Sequence, residues 1–146
     1  METRCARPSE AAAIGDLYWR AREAAVPAIP PSVHDRDDVL DHFATVVLPQ
    51  RDTWVAVDGE RIVGLLVLAP GWIDHLYVEP SRTGEGIGGT LLDLAKQDQP
   101  DGLDLWAFQS NTGARRFYER HGFEAVAFTD GDNEERAPDV RYRWHP

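Results

Sequence analysis

The chain has one cysteine, Cys5, among 146 residues. A single cysteine excludes an internal disulfide and a cysteine metal cluster, and no metal is expected. Cys5 reads as a small apolar residue buried on a first strand rather than as a nucleophile. No apolar run approaches the roughly 20 residues that a membrane span requires. Met1-Glu2-Thr3-Arg4-Cys5 lacks the apolar stretch of a secretory signal. The expected location is therefore cytoplasmic, with no membrane partner. Basic residues are also in deficit: 15 against 25 acidic ones leave a net charge of −10. Phosphate backbones are met by basic faces, so nucleic acid is not an expected partner. A cationic amine substrate suits the charge, although acidity by itself usually only confers solubility.

What is present is an ordinary globular composition, with 42% hydrophobic and 27% charged residues. It suits one domain over residues 1–146, long enough to bury a core. Glu2 to Arg7 can form a short strand. Ser9 is a candidate N-cap, followed by Ile14, Leu17, Tyr18, Ala21 and Ala25 on one helical stripe. The prolines of Val26-Pro27-Ala28-Ile29-Pro30-Pro31 make that segment a loop. A second helix is expected from Asp37 to Val47, with Val39, Phe43 and Val46 inward and Pro49 ending it. The period then changes. Thr53 to Val57 and Arg61 to Leu68 are β-rich and are joined by Asp58-Gly59-Glu60, a hairpin signal. Pro70-Gly71 turns the chain into a third strand, Trp72 to Val78. A helix over Ile87 to Gln97, a strand over Leu103 to Phe108, a helix over Thr112 to His121 and a strand over Phe123 to Phe128 follow. Gly122 suits a left-handed helix end. Val140, Tyr142 and Trp144 alternate with polar residues on a last strand. The order predicts a mixed α/β (α+β) sheet with helices on both faces.

The most informative stretch joins the strand ending at Val78 to the helix opening at Ile87. Gly84, Gly86, Gly88 and Gly89 cluster there. Backbone N–H groups unobstructed by side chains close on an anion, and the helix dipole favours negative charge. This chemistry asks for a phosphate or diphosphate rather than an empty turn. The Gly-Lys-Ser/Thr ending of a P-loop is missing. Gly84, Gly86 and Gly89 do match G-x-G-x-x-G, but the motif follows an antiparallel meander. Too little chain remains for the second half of a Rossmann fold, which excludes a nicotinamide-dependent oxidoreductase of that type.

Leu76-Tyr77-Val78-Glu79-Pro80 followed by Gly84-Glu85-Gly86-Ile87-Gly88 resembles the diphosphate-binding motif of the GNAT superfamily of acyl-CoA-dependent N-acetyltransferases. Asn111-Thr112-Gly113-Ala114-Arg115-Arg116-Phe117-Tyr118-Glu119-Arg120-His121-Gly122-Phe123 resembles the motif that follows it in that family. The two occur in the right order and at the right distance. The resemblance covers Thr53 to Phe128 well and the rest loosely. One departure stands out: the family begins the glycine motif with Gln or Arg where this chain has Thr83, with Arg82 just before it.

The resemblance implies a GNAT fold, a mixed and mostly antiparallel seven-stranded sheet flanked by about four helices. It implies acetyl-CoA as cosubstrate and a small-molecule or protein amine as acceptor, and it leaves a homodimer open. Ile73, Leu76 and Val78 break the two-residue period of their strand, which suggests a β-bulge. By resemblance, a bulge there frees backbone groups of Leu76, Tyr77 and Val78 for the pantetheine arm and the acyl carbonyl. Gly84, Glu85, Gly86, Ile87, Gly88 and Gly89 would hold the diphosphate. Asn111 and Tyr118 are two helical turns apart and share a face with the small Ala114. In the family the Asn bonds the cofactor and the Tyr protonates the departing thiolate. A phenol with pKa near 10 suits that task. The carboxylate base of some relatives falls on Trp106 and is missing. His75 is then the first candidate base, with an ordinary pKa near 6.5, and Asp74 the second. His34 is a candidate for the acceptor mouth, and Arg115 and Arg116 for the nucleotide phosphates. An acyl-CoA sensor of the same fold, without turnover, is the competing expectation.

Overall fold

The computed structural model describes residues 1–146. Strand β1 (Glu2–Cys5) leads through a 3-10 turn into helix α1 (Ala11–Ala25). Ser9 does not cap that helix. Glu10 closes the entry instead, accepting the Arg7 backbone N–H at 2.8 Å and an ion pair from Arg4 at 2.7 Å. After the proline loop, α2 (Arg36–His42) passes through a π turn (Phe43–Val47) into the single turn α3 (Leu48–Gln50). The Asp35 carboxylate accepts the Asp38 backbone N–H at 2.9 Å and so caps α2. The π turn corrects one expectation. A wider turn carries the apolar stripe through Val39, Phe43 and Val47, and Val46 faces solvent.

Strands β2 (Asp52–Asp58), β3 (Arg61–Ala69) and β4 (Trp72–Val78) form the expected meander. Then come α4 (Ile87–Asp98), β5 (Leu103–Phe108), α5 (Thr112–Arg120), β6 (Glu124–Phe128) and β7 (Asp139–Trp144). The seven strands make one sheet in the order β1-β2-β3-β4-β5-β7-β6. Every neighbouring pair is antiparallel except β4 and β5.

The sheet buries two faces. On one, Ile14 and Leu17 of α1 and Phe43 of the π turn cover Val55, Leu65 and Val67. On the other, Ile87, Leu91 and Leu92 of α4 cover Leu66, Leu68 and Leu105. Complete burial of such a Leu or Ile contributes about 1.5–3 kcal/mol. Cys5 departs from expectation, because it is exposed on β1 at the sheet edge. No helix is long and apolar enough to cross a membrane.

Two features at the middle of the sheet position the site. The first is a bulge in β4: Leu68 faces Ile73 and Val67 faces His75, so Asp74 is the extra residue. This explains how Ile73 and Leu76, three residues apart, lie on the same face. The second is a split. β4 and β5 are in register only at Trp72 and Asp104, after which the strands diverge. β5 is held from its other side, where buried Asp104 pairs with Arg143 at 2.9 Å and with Arg141, both on β7.

Candidate active site

The split between β4 and β5 is a cavity of about 260 Å³ that includes Asp74, His75, Leu76, Tyr77, Asn111 and Tyr118 in its wall. A strand's backbone groups alternate in direction. The Glu79 N–H bonds Val63 of β3 at 2.8 Å. Tyr77 therefore also addresses β3, and the N–H and C=O groups of Leu76 and Val78 face the space that β5 has vacated. They are the donors and acceptors that an extended amide chain would pair with.

The cavity continues past Leu76, Val78, Thr83, Ala114 and Tyr118 into a larger one of about 720 Å³ under the glycine loop. Gly84 and Gly86 have φ of +81° and +85°, a left-handed backbone that favours glycine, and a Cβ on either would meet nothing within 4 Å. The loop is thus shaped around open space. Gly88 acts differently: a Cβ there would come 3.3 Å from Phe117 Cζ, so its absence lets α4 and α5 close on each other. Ile87 and Gly89 line the same cavity. Glu85 lines neither cavity; its carboxylate accepts the Arg82 Nε–H at 2.8 Å.

Asn111 caps α5 through its Oδ1, which accepts the Ala114 N–H at 3.3 Å, and leaves its side-chain N–H donors free on the slot. Tyr118 lies seven residues on, and Ala114 sits between them on the same face. The Tyr118 ring packs against Phe117 and Phe123, with centroids 5.2 and 5.6 Å away. Its hydroxyl makes no hydrogen bond to the protein, and the residue lines both cavities. Burial raises its pKa above the ordinary phenol value, so it stays protonated at neutral pH.

A third cavity, of about 560 Å³, opens on the α1–α2 side and meets the slot at His75. Asp38, Asp41, Glu134 and Glu135 stand in its wall. The β6–β7 loop is brought there by a His34–Glu134 contact and an Arg22–Glu135 pair at 3.8 Å. His34 lines this cavity. The His75 ring packs edge-on against Tyr18 at 5.1 Å and near Phe43 at 6.0 Å.

This packing corrects the pKa expected of His75. Burial is the main cause that lowers it to about 4; the Asp74 charge opposes the shift, and the charges of Arg22 and His42 add to it. Near pH 7 the imidazole is neutral and a weak base. Asp74 borders the slot, but its carboxylate accepts the Arg51 Nε–H at 3.0 Å. Arg115 also has another task, donating to the Tyr142 hydroxyl at 3.0 Å, and neither Arg115 nor Arg116 lines the cavity under the glycine loop. Arg120 and His121 do. One more helical turn along α5 was the signal that would have found them.

Residues 49–125 match the family described as acetyltransferase (GNAT) domain. The chain belongs to the GNAT acetyltransferase superfamily. It is 33% identical over 95 residues to the peptidyl-lysine N-acetyltransferase YjaB of Salmonella typhimurium, a match covering 64% of this chain and 65% of that protein. It is 35% identical over 78 residues to a probable N-acetyltransferase of Mycobacterium tuberculosis, covering 48% of this chain and 45% of that protein. The matched stretch thus spans less than two thirds of either relative. Among solved structures, apo-form YjaB from Escherichia coli superposes with a TM-score of 0.79 at 24% identity, over 98% of this chain and 96% of that one. The yncA protein of Salmonella typhimurium, solved with acetyl-CoA, superposes with a TM-score of 0.71 at 20% identity, over 99% and 93%. These likenesses show the fold: a mixed, mostly antiparallel seven-stranded sheet flanked by helices.

Proposed function

We propose that this chain is an N-acetyltransferase that moves acetyl from acetyl-CoA to a primary amine by direct attack. One observation carries the reading: a single continuous cleft runs from the glycine loop, past the free Tyr118 hydroxyl, to His75, where a second cavity enters from the opposite side. The diphosphate lies under Gly84 to Gly89. The pantetheine amides pair with Leu76 and Val78 along β4, and Asn111 donates to the same arm. The thioester carbonyl then lies near the bulge, with its sulfur toward Tyr118. The amine nitrogen attacks the carbonyl carbon, the C–S bond breaks, and the nitrogen, cationic on attack, releases its extra proton to solvent as the amide forms. The sulfur takes the Tyr118 proton, which solvent restores.

The acceptor enters through the α1–α2 cavity, where four carboxylates outweigh the single Arg22 and favour an ammonium group. A lysine side chain in a peptide, the substrate type named for YjaB, has the matching form: a cation on an apolar stem. His75, neutral at working pH, accepts a hydrogen bond from the incoming amine and helps orient it. The amine must therefore arrive unprotonated, and kcat/KM follows the acceptor's own ionisation upward with pH.

The test combines binding with turnover. Acetyl-CoA and CoA should both raise Tm by mass action, NADH should not, and free thiol should be released with a lysine peptide or another primary amine. A shift with NADH and none with CoA would overturn the assignment. Binding without thiol release across an amine panel would make the protein a sensor.

A further inference from the structure

We infer that Arg120, the last residue of α5, supplies the positive charge for the diphosphate that the glycine loop itself does not provide. The inference rests on the CoA reading above. Three observations lead to it. Thr83 occupies the position where the family carries Gln or Arg, and its hydroxyl points back to the Pro80 carbonyl at 3.5 Å. The adjacent Arg82 is already neutralised: its Nη1 donates to Asp58 at 2.9 Å and its Nε to Glu85 at 2.8 Å. One guanidinium between two carboxylates leaves the entrance of the loop negative, which opposes a diphosphate. Across the same cavity stands Arg120, exposed and with no ion pair or hydrogen bond to the protein.

The neighbourhood leaves that charge available. Glu119, the nearest carboxylate in sequence, accepts a hydrogen bond from the Tyr142 hydroxyl at 2.5 Å. His121 lies flat against the first turn of α4, where a Cβ on Gly89 would come 3.4 Å from its Cε1. This contact sets the end of α5 beside the N–H groups that open α4. A charged hydrogen bond from a guanidinium to a phosphate is about twice as strong as a neutral one. The competing explanation is local, since a basic residue in the last turn of a helix is stabilised by the helix dipole. That explanation predicts an effect on stability and none on the ligand.

The experiment measures binding of CoA and of dephospho-CoA, which lacks the ribose 3′-phosphate, to the wild type, Arg120→Gln and Arg120→Lys. It adds kcat/KM for S-acetylpantetheine, which has no phosphate. Arg120→Gln should weaken both nucleotides by roughly tenfold and leave acetylpantetheine unchanged, and Arg120→Lys should recover most of the loss. Any small fall in the ligand-free Tm of Arg120→Gln reports the helix-end charge alone, and it cannot produce a loss of nucleotide affinity that spares acetylpantetheine. Wild-type affinity in Arg120→Gln overturns the inference. So does a loss confined to CoA, which would place the guanidinium on the ribose phosphate. If the wild type binds no CoA, the proposed function falls first, and that result is distinct from either.

Discussion

At the scale of single residues, two chemically active groups behave differently from what composition suggests. Tyr118 is a phenol with nothing to bond inside the protein, held by Phe117 and Phe123 at the mouth of two cavities. If it protonates the leaving thiolate, Tyr118→Phe should lower kcat by roughly 10²-fold, a typical general-acid contribution, while acetyl-CoA affinity hardly changes. Steady-state kinetics with a direct binding titration checks this, and an unchanged kcat would reduce the tyrosine to packing. The position of Tyr118 was legible because a seven-residue spacing is local and fixed by the helix. The acidity of His75 was not, because Tyr18 and Phe43 reach it from α1 and the π turn, far away in sequence. The arginines teach the same lesson. Arg115 and Arg116 stand closest to the asparagine motif, yet Arg115 turns to Tyr142 and, of the α5 arginines, Arg120 alone lines the cavity.

At the scale of elements, the site is made where regular structure is interrupted. The broken alternation in β4 announced a bulge, and the structure assigns the extra residue to Asp74. The π turn after α2 gave no such signal, since Val46 and Val47 are equally apolar and only the wider turn chooses between them. In the glycine loop the individual glycines separate by physics. Gly86→Leu adds a side chain to open space at φ +85°; the left-handed backbone costs about 1–3 kcal/mol, and the side chain fills the cradle. Gly88→Leu must push Phe117 aside from a 3.3 Å approach and costs about 1–3 kcal/mol by overpacking. Both variants should therefore melt lower than wild type. The discriminating measurement is the acetyl-CoA-induced rise in Tm for Gly86→Leu, which should vanish while the circular dichroism of the folded state persists. A preserved rise would mean that the loop does not hold the ligand.

At the scale of the whole molecule, the order of elements was legible but the order of strands was not. Hairpins and the change of period are local. The insertion of β7 between β5 and β6, and the parallel contact of β4 with β5, depend on long-range pairing that includes the Asp104 ion pairs. That arrangement places His75 where the β4–β5 split meets the α1–α2 cavity, and it couples the site to the stability of the entire fold. Desolvation holds its folded pKa at about 4 against an ordinary value of 6.5. Below pH 6.5 the unfolded chain binds a proton that the folded chain refuses, so stability must fall as pH drops. The contribution is complete above pH 6.5, diminishes between 6.5 and 4, and is gone below that. A shift of this size is worth at most on the order of 3 kcal/mol, a ceiling because part of the ring borders the cavities. Glu10, held down to about 2 chiefly by its hydrogen bond with Arg4, loses its own contribution only below its unfolded value near 4.5, so above pH 4.5 the His75 window stands clear of it. Denaturant unfolding of the ligand-free protein at pH 7, 5.5 and 4.5 should therefore show a loss in the wild type that is largely absent in His75→Gln. Equal slopes in the two proteins would show that His75 is solvated in the folded state. It would then titrate near neutrality after all, and the neutral, orienting imidazole would give way to a general base.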